Sequence, residues 1–253
     1  MSFIPRLFLK KVAADRTEVR LEASASSYLL KVLRFSEGAP LKGFDESGHE
    51  YDMILVDTDP EAAMVRIVSR KGPSSQTTGA RITLAQSLPK ASKMDLVLRQ
   101  GCEAGADGFI PFLSRRSVSR PDPAQFGHKN DRWGKILVEA CRQSGRNQVP
   151  GLDPVTEWED LLARFKDFDL VLLPYEKEAP TLRTVLESKS KAGKILVLVG
   201  PEGGWDPDEV REAELQGALA VHLPTPILRT ETAGVSILSM LQFFYGGISP
   251  MGA

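Results

Sequence analysis

Two stretches near the C-terminus carry the residue types best suited to chemistry. KILVLVGPEGGW (residues 194–205) is an apolar, β-branched run ending in Gly-Pro-Glu-Gly-Gly, and PILRTETAG (residues 226–234) follows it. A glycine-rich loop between a strand and a helix lets a ligand approach the backbone, because glycine has no Cβ and tolerates positive φ. Gly200, Gly203 and Gly204 either build such a loop or only turn a corner. Their spacing matches neither Gly-x-Gly-x-x-Gly nor a P-loop, since no Lys-Ser/Thr follows them. Read from the residues alone, this is a binding loop without a named ligand. A second chemical feature is a local basic strip: Arg115, Arg116, Arg120, Lys129, Arg132, Lys135, Arg142 and Arg146 stand against Asp122, Asp131 and Glu139. Such a strip serves either as a solvated helix face or as a site for RNA phosphates. Planar Arg142, Gln143, Arg146 and Asn147 suit hydrogen bonding to phosphates and base edges.

The elements that must position these residues are well signalled. After the 194–199 strand, Asp206 is placed to cap a helix, with Pro207 at its first position and Glu209 at the capping-box position. Val221 and Leu223 mark a short strand, and a second helix opens near Thr230. Two loops of this kind at neighbouring strand ends would form one crevice, where open α/β sheets bind ligands. Upstream, ARITLAQSL reads as a buried strand, Ser92 as the cap of a helix stopped by Gly105, and FIPFL as a second strand. A helix over 131–144, a strand over 169–174 and a helix around 181–188 continue the alternation, which predicts a mostly parallel sheet covered on both faces.

Residues 1–72 have a different pattern. Short alternating runs at 6–10, 18–21, 40–44, 50–57 and 63–69, with a helix at 24–33, predict a small β-barrel. The polar break GPSSQTTG (72–79) marks the boundary, with a linker at 73–80 leading to a second domain at 81–253. The final helix, over 233–245, is apolar on too many sides for a surface helix; it is either core or an oligomer interface.

Composition bounds the partners. The net charge is −1, so any polyanion site must be local, and residues 1–80 balance eleven basic against eleven acidic side chains. Cys102 and Cys141 lack metal-ligand spacing and read as buried thiols; no metal is expected. Charges at Arg6, Lys10 and Lys11 argue against a signal peptide, and the apolar run at 235–245 is too short to span a bilayer, so the reading is a soluble, cytoplasmic protein.

GPEGGW and ILRTETA, with PRLF (residues 5–8), VLR (32–34), SKMD (92–95) and EACRQSGRNQVP (139–150), resemble the RsmE family of SPOUT-class methyltransferases that act on 16S ribosomal RNA. The resemblance implies an α/β SPOUT domain with a C-terminal trefoil knot, a PUA-like N-terminal barrel, a homodimer with sites at the subunit interface, and the small ribosomal subunit as partner. It implies S-adenosylmethionine as cofactor and uridine N3 as methyl acceptor. The loop residues Leu198, Val199, Gly200, Pro201, Glu202, Gly203 and Gly204 would then hold the cofactor. Leu223, Pro224, Ile227 and Leu228, with Thr230, Thr232 and Ala233, would hold it from the second loop, and Pro174 would close the crevice. Arg142, Arg146 and Arg229 become candidates for stabilising the ionised uracil, and Glu231 or Glu202 for taking the proton. Arg6, Arg34, Arg115, Arg116, Arg142, Gln143 and Arg146 become candidate RNA contacts.

The chain also departs from its relatives. Ser26-Ser27-Tyr28 stands where they carry a histidine pair, and Pro224 and Pro226 remove two backbone donors from a loop where they have Leu-Gly. Two rival readings accompany the resemblance: a SPOUT enzyme with another target such as a ribose 2′-oxygen, and a non-catalytic RNA-binding or ribosome-assembly module.

Overall fold

A computed structural model describes residues 4–73, 79–118, 120 and 126–246. Residues 74–78 of the expected linker and Asp122 of the basic strip lie outside the described residues. The chain divides into two compact units, Met1–Ser75 with Cys141–Val149, and Gln76–Ala140 with Pro150–Ala253.

In the first unit, β1 (Arg6–Leu9), β2 (Glu18–Arg20), β3 (Pro40–Asp45), β4 (Glu50–Asp57) and β5 (Met64–Lys71) form a sheet in the order β1-β3-β4-β5-β2. β1 and β3 are parallel and the other neighbours antiparallel. Alternation along the strands turns Leu7, Leu9, Leu41, Tyr51, Met53, Leu55 and Val65 into one core, and register shifts in the β4–β5 pair bend the sheet around it. The helix expected at 24–33 is present in span but not in type. α1 (Ala23–Ser27) gives way to a π-helical turn over Tyr28–Val32, which seats Leu29 fully in the core. The segment Cys141–Val149 joins this unit through Arg6, whose guanidinium donates to the carbonyls of Cys141 (3.1 Å) and Arg146 (2.6 Å).

The second unit is the alternating one. It runs β6 (Arg81–Ser87), α2 (Lys93–Glu103), β7 (Gly108–Leu113), α3 (Phe126–Ser144), β8 (Gly151–Leu152), β9 (Thr156–Glu157) and α4 (Trp158–Ala163). It continues through β10 (Leu170–Pro174), α5 (Leu182–Ser188), β11 (Lys194–Val199), α6 (Pro207–Leu215), β12 (Leu219–Val221) and α7 (Thr230–Tyr245). The last turn of α3 is counted with the first unit. The sheet order is β12-β10-β11-β6-β7-β8, with β9 also on β7, and every pairing is parallel. Unbroken apolar runs in β10 and β11 are buried on both faces, as a helix-covered parallel sheet requires.

Three local expectations change. Ser92 sits at the N-cap of α2 but its side chain makes no capping bond, because its backbone (φ −88°, ψ 11°) is not in the extended form that aims a cap oxygen at the first turn. Among the described residues α3 already includes Phe126, five residues before the expected start at Asp131. The strand ends that carry the two loops are not neighbours: β10 lies between β11 and β12. The last helix resolves into two faces. Ile237, Leu238 and Leu241 are fully buried, whereas Phe243 is 90% exposed. No helix among the described residues is long and apolar enough to cross a membrane.

Candidate active site

The glycine-rich loop leaves β11 and is held by its own side chains. Asp206 accepts from the Asp208 amide (3.0 Å) while Glu209 accepts from the Asp206 amide (3.2 Å), so the capping box forms as its sequence predicts. Glu209 is fully buried; burial pushes its carboxyl up, against the amides of Arg115 and Asp206 that favour the ionised form. Trp205 folds back over Gly200, where a Cβ would come within 3.0 Å of the indole, and its Nε1 donates to the Pro174 carbonyl (3.2 Å). Gly204 takes φ +70°. Glycine at these two positions therefore serves the loop's own folding.

The second loop is more open. β12 stops at Val221, short of Leu223, because His222 bridges to Thr181 and the chain then turns, with the Thr225 amide on the Leu223 carbonyl (2.8 Å). β10 exits between the loops, and the Tyr175 amide donates to the Val221 carbonyl (2.9 Å). Residues 174–176, His222, Leu223, residues 225–228 and Ala233 line a cleft of about 130 Å³. Of the residues expected to hold a cofactor, Pro174, Leu223, Ile227, Leu228 and Ala233 share this cleft. Leu198, Val199 and Pro201 are buried, and Pro224 and Thr232 are exposed outside the lining. Thr230 is buried; its hydroxyl donates to the Gly200 carbonyl (2.6 Å) and accepts from Gln86 Nε2 (2.9 Å).

The ionisable groups are arranged differently from the sequence expectation. Lys93 Nζ lies 3.2 Å from Glu202 and 3.2 Å from Glu231, so both candidate bases grip one ammonium. Burial of Glu202 opposes its ionisation, but the Lys90 amide and Lys93 outweigh it and hold the carboxyl below its ordinary range. The hydrogen bonds that Lys93 donates to Glu231 and Glu202 in turn raise its pKa. An ammonium that stabilises the carboxylate form works against proton uptake by Glu202. Arg229 caps α7 by position, is exposed, and has no ion pair among the described residues.

Part of the expected basic strip is neutralised. Arg115 pairs with Glu212 (2.6 Å) and lies near Asp206 and Asp208, Arg116 pairs with Asp206 (3.3 Å) and donates to the Gly203 carbonyl (3.4 Å), and Arg132 pairs with Asp95. In the first unit Arg6, expected as an RNA contact, is committed internally. Besides the two carbonyls it pairs with Glu50 (3.1 Å) and lies over Phe44, and burial lowers its pKa. Arg142 donates to the Arg6 carbonyl (2.9 Å) and covers the Tyr28 ring at 5.2 Å. Gln143 and Arg34 are exposed, and Arg146 is half-buried. Arg34 holds φ +57°, uncommon for a residue with a side chain.

Lys93, Gln86 and His222 were missed from the sequence. The SKMD stretch contains Lys93, yet no spacing rule links it to residues more than a hundred positions away.

A parallel α/β sheet with a cleft at the carboxyl ends of two adjacent strands defines a ligand-binding enzyme fold. The model of the RNA methyltransferase domain family matches residues 76–242, and this chain belongs to that family. It is 31% identical over 221 residues to the Ribosomal RNA small subunit methyltransferase E of Bacillus subtilis, covering 85% of this chain and 86% of that protein. The structure of the Neisseria gonorrhoeae Ribosomal RNA small subunit methyltransferase E bound to S-adenosyl methionine superposes with a TM-score of 0.85 at 28% identity, over 96% of this chain and 98% of that one. A Legionella pneumophila protein solved with bound cofactor SAM gives 0.87 at 26% identity, with the same coverage.

Proposed function

We propose that this protein is an S-adenosylmethionine-dependent methyltransferase that modifies N3 of a uridine in the 16S RNA of the small ribosomal subunit. The proposal includes a cytoplasmic homodimer, a SPOUT domain over 81–253 with a C-terminal trefoil knot, a linker at 73–80, and a PUA-like barrel over 1–72.

The observation that carries the reading is the cleft between the β10 exit and the 222–228 loop, in a chain whose relatives include cofactor-bound methyltransferases. Its lining suits the cofactor. Pro174, Leu223, Ile227, Leu228 and Ala233 offer apolar surface to an adenosyl group, and a loop backbone outside regular structure offers N–H and C=O groups for its polar edges. When bound, the cofactor supplies a methyl group already activated on a sulfonium, so the protein has to align donor and acceptor.

The remaining task is ionisation of the acceptor. Uridine N3 loses its proton roughly two units above neutral pH, a cost on the order of 3 kcal/mol at ~1.4 kcal/mol per unit. With Glu202 and Glu231 tied to Lys93, electrostatic stabilisation falls to a guanidinium. Arg229 fits this role in the second unit: it is unpaired among the described residues and next in sequence to cleft-lining Leu228. Arg142, Arg146, Gln143 and Arg34 are the RNA-facing candidates of the first unit. The homodimer reading is supported by exposed Phe243 on α7 and by Leu96 (37% exposed) on α2.

The test is transfer from labelled S-adenosylmethionine to small-subunit RNA lacking the modification. Arg229→Ala should lower kcat by about 100-fold with cofactor affinity retained; unchanged kcat would remove Arg229 from the mechanism.

A further inference from the structure

The glycine-rich loop and the first turn of α7, which carries cleft-lining Ala233, are joined by one short segment, residues 86–93, which lies in neither. Gln86 donates to Thr230, whose hydroxyl reaches the Gly200 carbonyl. The Lys90 amide donates to Glu202 (3.0 Å), and Lys93 spans Glu202 and Glu231. The Gln86–Thr230 and Lys93 bridges therefore each have one end on the glycine-rich loop and the other on the first turn of α7. The backbone of the segment is itself unusual: Ala91 holds φ +53°, a left-handed conformation that disfavours a residue with Cβ. That turn brings the Lys90 amide and the Lys93 side chain to the same carboxylate. A strained residue persists where the surroundings over-determine it, and such sites cluster at ligand clamps.

We propose that Lys93 is a positioning residue that sets the spacing of the glycine-rich loop and the first turn of α7, and so prepares the cleft that α7 lines through Ala233 for its cofactor. The inference rests on the reading of the cleft as the S-adenosylmethionine site. Glu202 and Glu231 then act as paired anchors for Lys93. Without the ammonium, two partly buried carboxylates, one on the glycine-rich loop and one on the first turn of α7, repel, and the two segments move apart. Arginine keeps the charge and reaches both acceptors; methionine keeps the length and loses the charge.

The experiment is calorimetric titration of the full-length protein with S-adenosylmethionine, alongside thermal unfolding and steady-state transfer kinetics. Lys93→Met should weaken binding by about tenfold, the low end of the worth of a hydrogen bond to a charged group. The loss should fall on the cofactor KM more than on kcat, and Lys93→Arg should recover most of it. Replacing both anchors in the Lys93→Met background (Glu202→Gln with Glu231→Gln) should also regain affinity, since the repulsion is gone. Lys93→Met binding within twofold of the wild type would overturn the proposal. So would Lys93→Arg binding as weakly as Lys93→Met while unfolding at the wild-type temperature. A wild-type protein that takes up no S-adenosylmethionine would overturn the cleft reading and this inference together, and the wild-type titration alone reveals that case.

Discussion

The glycine-rich loop and the proline-containing loop flank the same strand end, yet they are built in opposite ways. The first is locked from every side: Trp205 covers Gly200, Arg116 reaches Gly203, and Lys90 and Lys93 hold Glu202. The second presents Ile227 at 88% exposure and supplies most of the cleft lining. The contrast teaches that the more conspicuous motif is the scaffold, and the less conspicuous one supplies the contact surface.

The largest effect should come from breaking the locked loop. At Gly200 even a lone Cβ would stand 3.0 Å from the Trp205 indole. Gly200→Val would drive two further methyl groups toward that ring and should cost about 2–3 kcal/mol in denaturant unfolding. An unchanged midpoint would mean Trp205 can swing away freely. A smaller effect, of a different kind, should follow from the open loop. Ile227→Ser removes an apolar group that buries surface only when the cleft is filled, so cofactor affinity should fall about fivefold with the unfolding temperature unchanged. A stability loss without an affinity loss would reverse the assignment of the two loops.

The locked loop should also respond to acid. Glu202 is held below its ordinary carboxyl value of 4.5, so its contribution is complete above that pH and is lost as the pH falls through the lower folded value. The locked loop should therefore keep its stability down to about pH 4.5 and lose it below, and Glu202→Gln should remove that acid limb in pH-dependent unfolding. The smallest change expected is Ala91→Gly. Relief of the left-handed strain is partly offset by glycine's greater unfolded-state entropy, leaving a gain of about 0.5 kcal/mol. Ala91→Val should destabilise instead.

How much of this was legible in the sequence depended on the range of the interaction. The capping box from Asp206 to Glu209 was readable because its partners are three residues apart. β10 and β11 were readable as unbroken apolar runs, and Gly105 as a helix stop, realised at φ +92°. The position of β10 between β11 and β12 was not readable, since strand order is a tertiary property that local pattern does not encode. Arg6 looked like a surface arginine because its carbonyl partners lie 135 and 140 residues away. The basic strip looked like a continuous cationic face because the acidic groups that neutralise Arg115 and Arg116 come from α6 and its cap. Resemblance supplied the reaction class, which no spacing in the chain states.

The most direct test of the central claim is to incubate the full-length protein with labelled S-adenosylmethionine and unmodified small-subunit RNA, then digest the RNA and identify the labelled nucleoside. The account predicts label in N3-methyluridine, and its loss with Arg229→Ala. Label in a ribose-methylated nucleoside, or no transfer by a protein that binds the cofactor, would contradict it.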